Sequence, residues 1–227
     1  MKPDYAEARD LLRRGRSGAL GSLSLAMPGF PFVSLLPYVL DEACQPVFLL
    51  SSLAEHTRNL LADSRASLLV AEGQGGVLEQ ARLTLLGTVE RVELDAPGRA
   101  RFLRYSPESA EFLALGDFTF FRMRPLRARF IGGFGRMGWM DAAPVPRVLP
   151  PQQEAALIEA LARRAPAGVR VEGLDAEGVD VLVAGVCRRI RLEPAQAGPD
   201  TLFEAALDGM ERAGLFGPEG PAAGVLA

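Results

Sequence analysis

Leu49-Leu50-Ser51-Ser52-Leu53-Ala54-Glu55-His56-Thr57-Arg58-Asn59-Leu60-Leu61 decides how this chain reads. The apolar run Val47 to Leu50 has the length of a short strand. It passes without a spacer into helical spacing at Leu53, Thr57, Leu60 and Leu61. Ser52-Leu53-Ala54-Glu55 has the form of a capping box, in which Ser52 caps and Glu55 reaches back, so a helix is expected over 53–62. A strand running straight into a helix start gathers unpaired N–H groups and the positive end of the helix dipole at one point. Ser51, Ser52, His56 and Thr57 converge there. The residues alone leave two readings open: a cradle for a phosphate, or a capping box beside a surface histidine.

Outward from this stretch, the pattern is mostly β. Residues 5–14 read as an amphipathic helix with Tyr5, Ala8, Leu11 and Leu12 on one face. Ala19 to Leu25 alternates, Met27-Pro28-Gly29 marks a turn, and Phe32 to Leu40 is a second strand that Pro37 demotes to an edge or a bulge. Strands are expected at 66–71 and 82–94, with a turn at Gly73-Gln74-Gly75-Gly76. Short helices follow near 97–105 and 107–115, then separate strands at 118–123 and 128–131. Consecutive antiparallel strands with few helices are the signature of a small barrel. After the proline-rich stretch 142–151 come a helix (152–164), three strands (169–174, 178–184, 186–192) and a helix (200–213). The fold class is therefore α+β, a small antiparallel barrel over residues 1–148 and a small α/β domain over 149–227.

Composition narrows the function. The chain has 227 residues, enough for a core without staples. A net charge of −3 argues against a nucleic-acid partner. The charge is uneven: 18 Lys+Arg against 16 Asp+Glu before residue 151, and 7 against 12 after it. No apolar run approaches the roughly 20 residues of a spanning helix, and the acidic start Asp4 to Glu7 does not resemble a signal peptide. A cytoplasmic protein with no membrane partner is expected. Cys44 and Cys187 lie far apart and read as reduced, packed thiols; with one histidine they make no metal site. Lys2 is the only lysine, so no internal lysine is available for catalysis. Gly133-Phe134-Gly135-Arg136-Met137-Gly138 fits GxGxxG but lacks a following helix, and is read as a tight bend at a strand end.

Ser51-Ser52-Leu53-Ala54-x-His56-Thr57-x-Asn59-Leu60 resembles the strand–helix motif of the FMN-binding split-barrel proteins related to pyridoxamine 5′-phosphate oxidase, and is most similar to the haem-utilisation (HugZ-like) branch. Four further segments agree in order: Pro31-x-Val33-Ser34-Leu35-x-Pro37-Tyr38, Arg82-Leu83-Thr84-Leu85-x-Gly87, Gly116-Asp117-Phe118 and Gly132-Gly133-Phe134-Gly135. Residues 152–213 resemble the small helix–three-strand–helix domain often attached to this branch. The resemblance implies a homodimer with FMN at the subunit interface. By position, Ser34, Ser51, Ser52, His56, Thr57 and Arg82 would meet the flavin; Asn59 matches the motif and either joins them or braces the helix. Arg82 also reads as a solvated strand residue, since it alternates with Leu83 and Leu85.

The chain departs from the family in instructive places. It lacks the internal lysine and the arginine-containing ending of the pyridoxamine phosphate oxidases. Ser106-Pro107-Glu108 stands where relatives often have His-Pro, and Pro151 to Ala155 lacks the histidine usual at the start of the attached domain. If His56 serves the flavin, a haem iron would be left with an oxygen or sulfur ligand. No nucleophile–base pair is visible, as expected where a cofactor does the chemistry, and no catalytic residue is assigned. Three functions follow: an FMN-dependent oxidoreductase of unknown substrate, a haem-binding or haem-degrading protein, and a non-catalytic flavin-binding module.

Overall fold

The computed structural model describes residues 5–72, 76, 79–133, 136–141, 149–192 and 198–216. The turn expected at 73–76 and the proline-rich stretch fall largely outside them. The chain divides into two compact units, Met1–Val145 and Pro146–Ala227.

The first unit begins with α1 (Tyr5–Arg14), whose Ala8, Leu11 and Leu12 are buried. β1 (Ser17–Leu23) and β2 (Pro31–Pro37) form an antiparallel pair in which Leu20 faces Ser34. The expected single strand to Leu40 is broken at Tyr38, whose hydroxyl donates to Leu12 O at 2.7 Å. The chain resumes as β3 (Val39–Leu40) and β4 (Pro46–Ser51). After α2 (Glu55–Ala62) come β5 (Arg65–Ala71) and β6 (Arg82–Arg91). Two short helices, α3 (Ala96–Tyr105) and α4 (Ser109–Ala114), lead to β7 (Phe118–Ile131) and β8 (Met137–Asp141). The strands form one antiparallel sheet in the order β2-β1-β5-β6-β7-β4-β3, with β8 on β7. It curls as a split barrel around Leu20, Phe48, Leu68, Leu85, Phe121 and Phe130.

Two expectations are corrected. The two strands expected at 118–123 and 128–131 are one 14-residue strand. Pro125, which read as a break, sits beside a register shift where Leu86 faces Arg127 and Gly87 faces Pro125, so Leu126 is the extra residue of a bulge. A bulge tolerates the missing N–H of proline. Gly87 lets the strands close there: a Cβ would lie 2.1 Å from Arg124 O. Residues 137–141, to which the sequence pattern assigned no element, pair with β7. Gly133, with φ +100°, belongs to the turn between these strands, as its glycine-rich sequence anticipated.

The second unit holds α5 (Pro151–Arg164), β9 (Val169–Asp175), β10 (Gly178–Val183), β11 (Val186–Arg191) and α6 (Pro199–Arg212), each within about a residue of expectation. The sheet order is β11-β10-β9. Val179, Val181 and Val183 pack with Leu161, Leu202 and Met210. Arg189 is buried between Asp180 at 2.9 Å and Asp175 at 2.7 Å, so its charge is paired rather than isolated.

Candidate functional site

α2 links β4 to β5. It is a crossover, because β4 pairs with β7 while β5 pairs with β1 and β6. Its register is fixed by Asn59, which is fully buried. The Asn59 side chain accepts the Leu25 N–H at 2.8 Å and donates to Ser22 Oγ at 3.3 Å. Of the two roles open to Asn59, the structure gives it the bracing one.

The capping box expected at Ser52–Glu55 does not form. The cap is Ala54, without a side-chain hydrogen bond. The serines act one step earlier, in the turn. Ser51 Oγ donates to Asp117 Oδ2 at 2.6 Å and accepts the Leu53 N–H at 3.1 Å. The Ser52 N–H donates to Asp117 O at 2.9 Å, while the Ser52 side chain stays exposed. Asp117 thus ties the strand–helix corner to the start of β7, across 66 residues. Sequence reading marked Asp117 only as part of a motif, and a contact between distant segments has no local signal.

The helix ladder starts with the Arg58 N–H bonding to Ala54 O. The N–H groups of Glu55, His56 and Thr57 precede it and point out of the helix start. His56 is half-buried, with Nδ1 3.2 Å from Ser34 Oγ. Burial lowers its pKa, so the neutral ring is favoured. Thr57 is buried and its Oγ1 has no hydrogen-bond partner. A buried hydroxyl without a partner is costly and marks a place where a ligand could supply the missing bond.

Ser34 and His56 therefore meet at the start of α2, with Thr57 next along the helix and Ser51 and Ser52 in the corner before it. Arg82 does not join them. Leu83 and Leu85 face the core, so Arg82 and Thr84 face outward, whereas Ser34 shares the core-facing side with Leu20. Arg82 also lies on β6, separated from β2 by β1 and β5. Its side chain donates to Gln80 O at 3.3 Å. Neither Cys44 nor Cys187 is in a disulfide. Among the described residues no cluster of His, Cys, Asp and Glu could hold a metal ion, and no helix is long and apolar enough to cross a membrane.

The family model described as CREG, beta-barrel, matches residues 2–144. A chloroplastic haem oxygenase of Arabidopsis thaliana, HOZ, is 35% identical over 132 residues, which cover 56% of this chain and 40% of that protein. The chain thus spans less than half the length of that relative. A haem-binding protein from Mycobacterium smegmatis matches nearly end to end, with 28% identity over 94% of this chain and 99% of the other, at a TM-score of 0.59. A protein of unknown function from Agrobacterium tumefaciens has the same fold, with a TM-score of 0.69 and 23% identity over 92% of each chain.

Proposed function

The chain belongs to the CREG β-barrel family, and we propose that it is a haem-binding member built on the split barrel. The membership bears out the split-barrel resemblance drawn from the motifs. One observation carries the haem reading: a protein named for haem binding is similar over almost the whole of both chains. The shorter match to a haem oxygenase points the same way.

The residues at the start of α2 fit such a ligand. An imidazole coordinates iron only when neutral, and burial favours the neutral ring of His56. With Nδ1 turned to Ser34, Nε2 is the nitrogen left for a metal. The N–H groups of the first helical turn suit a carboxylate. Haem would supply the redox-active iron; the chain would supply orientation, exclusion of water and electrostatics.

A second reading has its own observation. Three N–H groups, the exposed Ser52 and the orphaned Thr57 hydroxyl also make a site for the phosphate of FMN, in an oxidoreductase whose substrate the residues do not specify. Titration separates the two. Haem added to the purified protein should give a saturable Soret shift that changes form in His56→Ala. No saturable haem binding, with FMN bound far more tightly than riboflavin, would replace the haem reading by the flavin one.

A further inference from the structure

Resting on the haem reading, we infer that Leu53 and Leu115 form the apolar wall of the site at the start of α2, against which the porphyrin ring lies. Leu53 directly precedes Ala54, the cap of α2, and is 77% exposed. An apolar residue in that position usually packs on the fourth residue of the helix and fixes the entry of the chain. Here the fourth residue is Arg58, which is itself exposed, so the fold makes no such use of Leu53. Leu53 is three residues before His56, and so at most about 11 Å from it along the backbone. Leu115 ends α4 and is 68% exposed.

The two leucines flank one corner. The Ser52 N–H donates to Asp117 O, Leu53 follows Ser52, and Leu115 lies two residues before Asp117. Leu115 is held out by a fixed turn. Its N–H donates to Phe112 O at 3.2 Å, and Gly116 turns the chain with a φ of +82°. The Phe112 ring packs 5.2 Å from that of Phe118, which faces Ser51 across the sheet. A single exposed leucine is ordinary. This pair borders a helix start that also carries the N–H groups of the first turn, the exposed Ser52 and the partnerless buried hydroxyl of Thr57. Apolar walls with a few convergent polar groups are the composition of a small-molecule site. A flat protein surface laid on the leucines would leave the Thr57 hydroxyl unpaired, whereas a small ligand entering beside them can pair it. A hydrocarbon wall suits a porphyrin, which is apolar apart from its carboxylates, and would strip water from the polar edge of a flavin without replacing it.

The test titrates the full chain with haem and with haem dimethyl ester, following the Soret band. The double variant Leu53→Ser/Leu115→Ser should weaken both ligands at least about tenfold, because the wall meets the ring and not the carboxylates. Its circular dichroism and melting temperature should stay at wild-type values, since neither side chain is in the core. Leu53→Met/Leu115→Met keeps the wall apolar and should hold haem within about threefold of wild type. Should the double serine variant fail to fold, Leu53→Ser alone decides, with an expected loss of at least about threefold. Unchanged haem affinity in the serine variants would overturn the wall and leave the haem reading standing. A wild-type dimer that the double serine variant dissociates would also overturn the wall, giving the leucines to a second copy of the chain. Absence of saturable haem binding by the wild-type chain would overturn the haem reading and the wall with it.

Discussion

His56 is the only histidine, so proton linkage near pH 6 traces to one side chain. Burial lowers its folded pKa below the 6.5 of the open chain. Between those two values the unfolded chain binds a proton that the folded chain does not. Stability therefore falls as pH drops through 6.5, and levels off below the folded value. Asp41 acts with opposite sign in a lower window. Burial raises its pKa above 3.8, against the N–H groups of Gln45 and Ala43 and the Arg122 charge, so protonation there favours the fold. Urea unfolding at pH 7 and pH 5.5 should show a smaller loss for His56→Gln than for wild type, since the amide does not titrate. Equal losses would mean that water reaches the ring as freely in the folded state. The site was legible where neighbours in sequence become neighbours in space: His56 and Thr57 fall on the first turn of α2, and the motif resemblance brought in Ser34. It was illegible where the face of a sheet decides. The alternation of Arg82 with Leu83 and Leu85 already carried its outward direction, but no residue pattern says which strand lies next to which.

The elements show the same division. Clean periods placed α1, α5, α6 and the three strands of the second unit almost to the residue, because each buries one face against its own neighbours. The capping box failed because Ser51 and Ser52 are drawn into the corner with Asp117, so the helix starts three residues past Ser52. A local signal lost to a contact between segments 66 residues apart. β7 failed in the reverse sense: Pro125 broke the pattern, and the bulge at Leu126 absorbed it. The bulge depends on Gly87. A methyl group there would meet backbone at Arg124 O, at 2.1 Å, with no flexible side chain to move aside. Gly87→Ala should therefore cost on the order of 3 kcal/mol, at the severe end for a point change. Gly29→Ala is the contrast, since its Cβ would meet nothing within 4 Å and only its positive φ of 89° is at stake. It should cost about 1 kcal/mol, as expected for an alanine forced into the left-handed region. Urea midpoints measured with a common slope rank the two, and equal costs would remove the bulge from the account of β7.

At the scale of the molecule, one surface of the first unit is not accounted for by that unit's own packing among the described residues. β2 ends the sheet, and its outward residues Val33 and Leu35 are 62% and 76% exposed. They continue inward as a row: Leu35 faces Ala19, Ala19 faces Leu69, and Val33 faces Gly21. Single exposed apolar residues are ordinary, but an apolar row on an edge strand invites association unless something covers it. The family resemblance implies a second copy of the chain, and the row is self-complementary in character, apolar with no charge on Val33, Leu35 or Leu69. Wild-type protein should then run in light scattering at twice the 24.3 kDa chain mass. Leu35→Glu places a charge at the outer end of the row, where desolvating it costs several kcal/mol, and should run as a monomer with unchanged circular dichroism. Leu61→Glu, also exposed but on α2, should remain a dimer. A wild-type monomer at micromolar concentration would remove the dimer. A Leu35→Glu variant that stays dimeric would move the interface to another face, and a Leu61→Glu variant that dissociates would move it to α2.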